Sequence, residues 1–185
     1  MKYCSQCGDP ISVRIPEGDN FPRYVCASCN TVHYRNPRMV VGCVPDWQGR
    51  ILLCRRAIEP RRGLWTLPAG YLENGETTVE GAIRETREEA NARVEVAELY
   101  TMINLPHIDQ VYLLFRARLL DQDFSAGDET LETGLFSESE IPWDKLAFPT
   151  VEFTLRHYFR DLEHDDFRLR VTDITPPWRM PESNE

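Results

Sequence analysis

The sequence predicts an α+β fold, a mixed β-sheet carrying helices, behind a small metal-held module. Three observations carry that expectation. Two Cys-x2-Cys pairs open the chain, short apolar runs bounded by Gly and Pro follow, and two stretches, from Thr78 and from Thr150, switch to helical spacing. A length of 185 residues fits one ordinary domain plus a small appended one.

The module comes first. Cys4-x2-Cys7 and Cys26-x2-Cys29 are separated by 18 residues, the spacing with which four thiolates surround one tetrahedral Zn²⁺. Between them Pro10, Pro16, Gly18 and Pro22 favour turns and short strands and supply no core, so metal must hold the segment together. Four thiolates leave no open coordination position, which makes this zinc structural. Cys43 and Cys54 lie inside apolar runs and read as small buried hydrophobes. Arg35-Asn36-Pro37 closes the module. The expected division is therefore residues 1–36, a main domain over 37–174, and an irregular tail over 175–185 containing Pro176, Pro177 and Pro181.

In the main domain, Met39–Val44 and Ile51–Arg56 are β-type runs joined by a turn-rich stretch ending at Gly49, a predicted hairpin. Leu64–Leu67 and Tyr71-Leu72 are short strands flanking Pro68-Ala69-Gly70. Thr78 to Asn91 is helical, capped by Thr77 or Thr78, with Val79, Ile83, Thr86 and Ala90 as its inward stripe. Strands at Val94–Thr101, Val111–Leu119 and Leu131–Ser137 follow. Thr150–Leu162 is a second helix, with Phe153, Leu155, Tyr158 and Phe159 on one side.

Composition narrows the function. No apolar run approaches the roughly 18 residues that span a bilayer, so membrane insertion is not expected. The first residues run straight into cysteines without an apolar leader, which points to the cytoplasm. A net charge of −9 disfavours nucleic acid, whose binding relies on many Lys and Arg contacts. A small phosphorylated substrate remains compatible, because divalent cations bridge carboxylates to phosphate.

The first helix holds the chemistry. Glu85, Glu88 and Glu89 stand at i, i+3 and i+4, and such crowded carboxylates repel by about 0.2–0.5 kcal/mol per pair unless a hard cation such as Mg²⁺ reverses the sign. A solvated acidic face with Arg84 and Arg87 as partners is the plainer reading of the charges alone. The spacing Gly70-x5-Glu76-x7-Arg84-Glu85-Thr86-x-Glu88-Glu89, however, resembles the Nudix box, the loop–helix–loop signature of the Nudix hydrolases. Thr86 replaces a usually aliphatic residue and Asn91 a usual glycine, and Asn tolerates the left-handed conformation that ends a helix.

The resemblance implies an α/β/α sandwich with a mixed sheet. It implies Mg²⁺ or Mn²⁺ held by Glu85, Glu89, Glu88 and the backbone carbonyl of Ala69, with Gly70 admitting the loop to the helix and Arg84 and Glu76 bracing the two. Glu132 is expected to complete the metal site, with Glu129 in reserve. Glu85 or Glu88 is the expected general base. A four-cysteine ribbon ahead of such a domain is similar to the NADH pyrophosphatases, whose Ser-Gln-Pro-Trp-Pro-Phe-Pro-like segment is missing here. The segments from Asn36 to Cys43, from Gly63 to Glu73 and from Leu146 to Phe148 are closer to zinc-ribbon Nudix hydrolases that include plant FAD pyrophosphatases. That likeness implies cleavage of FAD to FMN and AMP, or of ADP-ribose, for which Pro106 is a loosely placed marker. NADH, RNA caps, or an inactive adaptor role are the alternatives.

For substrate contacts, Phe21, Tyr34, Trp65 and Tyr112 could stack on a ring, and Arg55, Arg56 and Arg116 could meet phosphate. Of these, Trp65, Tyr34, Arg55, Arg116 and Tyr112 are the expected set. The expected partner is a small-molecule nucleotide, and a homodimer is left open.

Overall fold

A computed structural model describes residues 1–177. The expected tail lies outside them from residue 178 onward. The chain divides into two compact units, Met1–Pro37 and a larger one from Arg38 onward.

The first unit is a three-stranded antiparallel sheet, β1 (Ile11–Arg14), β2 (Arg23–Cys26) and β3 (Val32–His33). Cys4 to Gly8 forms a tight knuckle in which the Gly8 N–H donates to the Cys4 carbonyl at 3.0 Å. Cys4, Val25 and Cys26 are its only buried apolar residues among those described, too few to hold a fold without a crosslink.

The second unit is an eight-stranded mixed sheet. β4 (Arg38–Trp47) and β5 (Arg50–Arg56) form the predicted hairpin, turning through Gln48 and Gly49, both at positive φ. Two short strands, β6 (Trp65–Thr66) and β7 (Ala69–Tyr71), pair with β5 and β4. The first helix, α1 (Thr78–Ala90), leads to β8 (Val94–Leu105) and β9 (Gln110–Leu119). β10 (Thr130–Phe136), α2 (Pro149–His164) and β11 (Arg170–Asp173) complete it. The main order is β10-β5-β4-β9-β8-β11, parallel at β4–β9 and at β8–β11. β11 carried no sequence signal, because Arg170-Val-Thr-Asp173 is a short edge strand on a charged background.

Strand alternation sorts the core into two layers. Val41, Cys43, Leu52, Cys54, Leu113 and Phe115 face α1, where Ala82 and Ala90 meet them. Val44, Ile51, Leu53 and Leu114 face the other way, toward Val151, Leu155, Tyr158 and Phe159 of α2. One helix thus covers each face of the sheet, the expected α/β/α arrangement. The inward side of α1 differs from the expected stripe: Gly81, Ala82, Thr86 and Ala90 are buried, whereas Val79 and Ile83 are each 38% exposed. The small residues Gly81, Ala82 and Ala90, with Thr86, set the rotation of the helix on the sheet. Thr86, unusual in such a place, is fully buried and its hydroxyl donates to the Ala82 carbonyl at 2.8 Å.

Leu53 has no exposed surface and lies on the α2 side. Leu53→Ala is expected to destabilise the protein by about 2–5 kcal/mol through lost burial and a cavity. Denaturant melts check this, and a loss below about 1 kcal/mol would show that the layer is not packed as described.

Candidate active site

Local chemistry sets α1 at its place. Thr77 caps it in a reciprocal box: the Glu80 N–H donates to the Thr77 hydroxyl at 3.2 Å, and the Thr77 N–H donates to the Glu80 carboxylate at 2.8 Å. Asn91 ends the helix in the left-handed conformation, at φ 48°. Its side-chain amide donates to the carbonyls of Ser125 and Ala126 at 3.3 Å, which draws the following loop over the helix end. That loop approaches so closely that a Cβ on Gly127 would lie 1.8 Å from the Glu88 carbonyl oxygen, and only glycine fits.

One guanidinium organises the carboxylates. Arg84 donates to both oxygens of Glu76 at 3.0 and 2.6 Å, to Glu85 at 2.7 Å, to Glu88 at 3.0 Å and to the Tyr71 carbonyl at 3.1 Å. Glu76 also accepts from the Glu73 N–H, and with Arg84 beside it its carboxyl is held down at about 2. Glu89 is different. It faces inward, and its one amide contact is the Ala69 N–H at 3.3 Å. Burial, reinforced by the neighbouring Glu85 charge, pushes the Glu89 carboxyl up to about 8. Burial likewise raises Glu85, against the pull of Arg84. A Cβ on Gly70 would stand 2.4 Å from the Glu85 carboxylate, so the loop can rest on this group only as glycine. A buried, poorly solvated carboxylate beside a second one has the donor chemistry of a hard-cation site.

These residues line one cleft of about 1180 Å³. Glu85, Glu88, Glu89, Ala69 and Gly70 border it, and so do Arg56, Tyr112, Phe148, Thr150 and Glu129. Tyr112, one of the expected substrate contacts, is thus among the residues of this cleft. Four other expected contacts are elsewhere. Trp65 is 9% exposed and packs edge-on against Phe136 in the core, with centroids 4.9 Å apart. Arg55 pairs with Glu132 at 3.0 Å. Arg116 pairs with Glu98 and lies over the Phe167 ring. Tyr34 belongs to the first unit, 64% exposed with the Arg23 guanidinium over its ring.

The reason is strand alternation. Arg55 and Arg56 point to opposite faces of β5, and Trp65 and Glu132 both pair across from Arg55. Glu132, expected in the metal site, is thus on the far face, while the reserve, Glu129, borders the cleft. An irregularity between Thr130 and Glu132 sets that register, and sequence spacing does not reveal it. Phe148, in the Leu146–Phe148 stretch that carries the resemblance, also borders the cleft. Its signal, Pro149 opening a helix just after it, was present in the sequence.

In the first unit the sulfurs of Cys4, Cys7, Cys26 and Cys29 all lie within 4.8 Å of one another. The closest pairs, Cys4 to Cys29 at 3.6 Å and Cys7 to Cys26 at 3.5 Å, are far beyond the roughly 2.05 Å of a disulfide. They match the edge of a tetrahedron with bonds of about 2.3 Å to a central zinc. His33 Nε2 is 3.3 Å from the Cys4 sulfur and the Thr31 hydroxyl 3.1 Å from that of Cys29, polar neighbours suited to thiolates. Among the described residues no helix is long and apolar enough to cross a membrane.

Comparison with known proteins bears on family and fold. The family described as "NUDIX domain" matches residues 36–162, and the one described as "Nudix N-terminal", a zinc ribbon, matches residues 2–35. An ADP-ribose pyrophosphatase of Methanocaldococcus jannaschii is 30% identical over 131 residues, 69% of this chain and 76% of the relative. An NAD-capped RNA hydrolase of Chromobacterium violaceum is 29% identical over 168 residues, 88% of this chain but 61% of the relative. The crystal structure of a NUDIX hydrolase from Nitrosomonas europaea superposes with a TM-score of 0.91 at 56% identity, covering 94% of this chain and 99% of that one.

The Glu89 carboxyl binds its proton more tightly when folded than when unfolded. Its contribution to stability is therefore full below about pH 4.5 and is lost as pH rises toward about 8. In metal-free protein, Glu89→Gln is expected to raise Tm by about 10 °C at pH 8 and to change it little at pH 4.5, at about 2–4 °C per kcal/mol. Thermal melts in EDTA at both pH values check this. Equal shifts at both would mean that Glu89 is not strained by ionisation.

Proposed function

The chain belongs to the Nudix hydrolases, and from that premise we propose that it hydrolyses the pyrophosphate of an ADP-linked nucleotide with a divalent metal. ADP-ribose is the first substrate we assign, with FAD, giving FMN and AMP, beside it. The observation that carries the reading is the inward-facing Glu89 carboxylate, raised by burial and by Glu85 at the end of the cleft. The names of the two relatives, ADP-ribose and NAD-capped RNA, share an ADP-ribosyl pyrophosphate. The net charge of −9 favours a small nucleotide over a capped RNA.

A bound Mg²⁺ or Mn²⁺ supplies charge neutralisation at the pyrophosphate and a water of lowered pKa. Glu85, Glu88 and Glu89 hold it in this reading, with Ala69 and Glu129 bordering the same part of the cleft. Arg84 and Glu76 keep the loop from Gly70 to Glu76 against α1. Glu85 or Glu88 takes the proton of the attacking water, each now restrained by a single Arg84 nitrogen. An inactive adaptor would have no need of Glu76, Arg84, Glu85, Glu88 and Glu89 together.

The four thiolates of residues 1–36 hold structural zinc, and residues 37–174 form the catalytic domain. Reduced cysteines of this kind suit the cytoplasm. Elemental analysis is expected to find about one zinc per chain, and zinc-free protein from zinc-supplied cells would remove the metal from this module.

Glu89→Gln keeps size and helix propensity but is expected to lower kcat on ADP-ribose about 100-fold or more at saturating Mg²⁺. Glu132→Gln, on the far face, is expected to keep the parental rate. Steady-state kinetics on ADP-ribose, FAD and NADH read both. Unchanged turnover by Glu89→Gln would overturn the metal-site assignment, and a parent that cleaves none of the three would overturn the substrate assignment.

A further inference from the structure

The cleft has a second charged feature, a cation near enough to Glu89 for its charge to act on that carboxylate. Arg56 borders it and, among the described residues, forms no ion pair: its Nε donates to the Pro60 carbonyl at 2.8 Å. Arg84, by contrast, directs all three guanidinium nitrogens to protein acceptors. The Arg56 guanidinium lies 5.2 Å from the centre of the Phe148 ring, and Phe148 is the N-cap of α2. That cap has no side-chain acceptor, so the first turn keeps its orphan polarity, positive toward the cleft. Thr150, one residue into the same turn past Pro149, is 1% exposed and borders the cleft, yet its hydroxyl has no hydrogen-bond partner. A buried hydroxyl left without a partner is rare in folded proteins.

Three features therefore converge: a cation without a carboxylate, an uncapped 16-residue helix N-terminus, and an unsatisfied hydroxyl. All lie on a cleft whose other charges are mostly carboxylates. We propose that Arg56, Thr150 and the N-terminus of α2 form an anion site for the nucleotide phosphate that adjoins the one engaged by the metal-binding carboxylates, with Phe148 and Tyr112 as walls for the attached ring. The proposal rests on the reading of the cleft as a nucleotide pyrophosphatase site. It assigns Arg56 the place expected of Arg55, and Phe148 that of Trp65. Arg56 holds and orients the phosphate while the carboxylates of α1 act on the bond beside it.

The test is calorimetric binding of AMP in EDTA, which removes divalent metal from the comparison. Arg56→Gln is expected to weaken AMP about tenfold or more, Arg56→Lys less, and neither to change binding of adenosine, which lacks the phosphate. Thr150→Val is expected to weaken AMP about three- to tenfold while Tm holds or rises, since it removes an unsatisfied hydroxyl without changing shape. In kinetics on ADP-ribose, Arg56→Gln should raise KM more than it lowers kcat. Parental AMP affinity in both Arg56→Gln and Thr150→Val overturns the proposal. Loss of AMP affinity in a protein whose parent cleaves no dinucleotide supports the anion site and defeats only the assigned reaction.

Discussion

Arg84 is the contact through which the rest of the site is arranged. Its three nitrogens reach Glu76 and the Tyr71 carbonyl in the loop, and Glu85 and Glu88 on the helix, so loop and helix share one rigid connection. A planar group with fixed donor directions does this where a lysine could not. The same ion pairs gather Glu76, Glu85 and Glu88 side by side around one guanidinium. Glu89 lies beyond that reach, and its carboxyl alone is driven up to about 8. The site thus divides its acids into a braced set and a strained one, and the strained member marks where positive charge is missing.

Such bracing requires close approach, which small residues permit. Gly70 leaves room for the Glu85 carboxylate, Gly127 brings its loop to the carbonyl of Glu88, and Ala82, Thr86 and Ala90 bring α1 down on the sheet. The helix itself adds little apolar area on this side, because its inward residues are small, and the sheet supplies the larger groups, Val41, Leu52, Leu113 and Phe115. The larger side chains are on the opposite face, where Leu53, Leu155, Tyr158 and Phe159 pack.

Much of this was legible in the sequence where it was written locally. The Thr77 cap, the i, i+3, i+4 carboxylates, the Asn91 terminator and the β4–β5 hairpin each depend on residues within a few positions of one another, and each is where the spacing put it. The two-knuckle cysteines bring their sulfurs together because their local turns do most of the work. What failed was orientation. Whether Arg55 or Arg56, or Glu132 or Glu129, borders the cleft depends on which face of β5 and β10 each occupies, and a bulge near Thr130 shifts that register. Trp65 misled for a related reason: a conspicuous aromatic beside a motif was read as a contact, whereas its cross-strand position opposite Arg55 sends it into the core. Val79 and Ile83 misled by hydrophobicity alone, since the helix needed small residues inward.

The parallel ladder between β4 and β9 joins Arg38–Asp46 to Gln110–Arg118, and everything from the hairpin turn through α1 lies between them in the chain. The carboxylates therefore sit inside a long closed loop whose ends are fastened side by side at the centre of the sheet. Closing such a loop costs conformational entropy before it returns any contact, while each doubling of its length adds only about 0.6 kcal/mol. Evolution can lengthen or trim the segments within it at little thermodynamic expense, provided the central ladder and the Arg84 brace are untouched. The ladder also ties the life of the site to that of the sheet. α1 cannot drift from its loop while the two strands remain zipped, and once they part, the acids that had been held together against their own repulsion have every reason to separate.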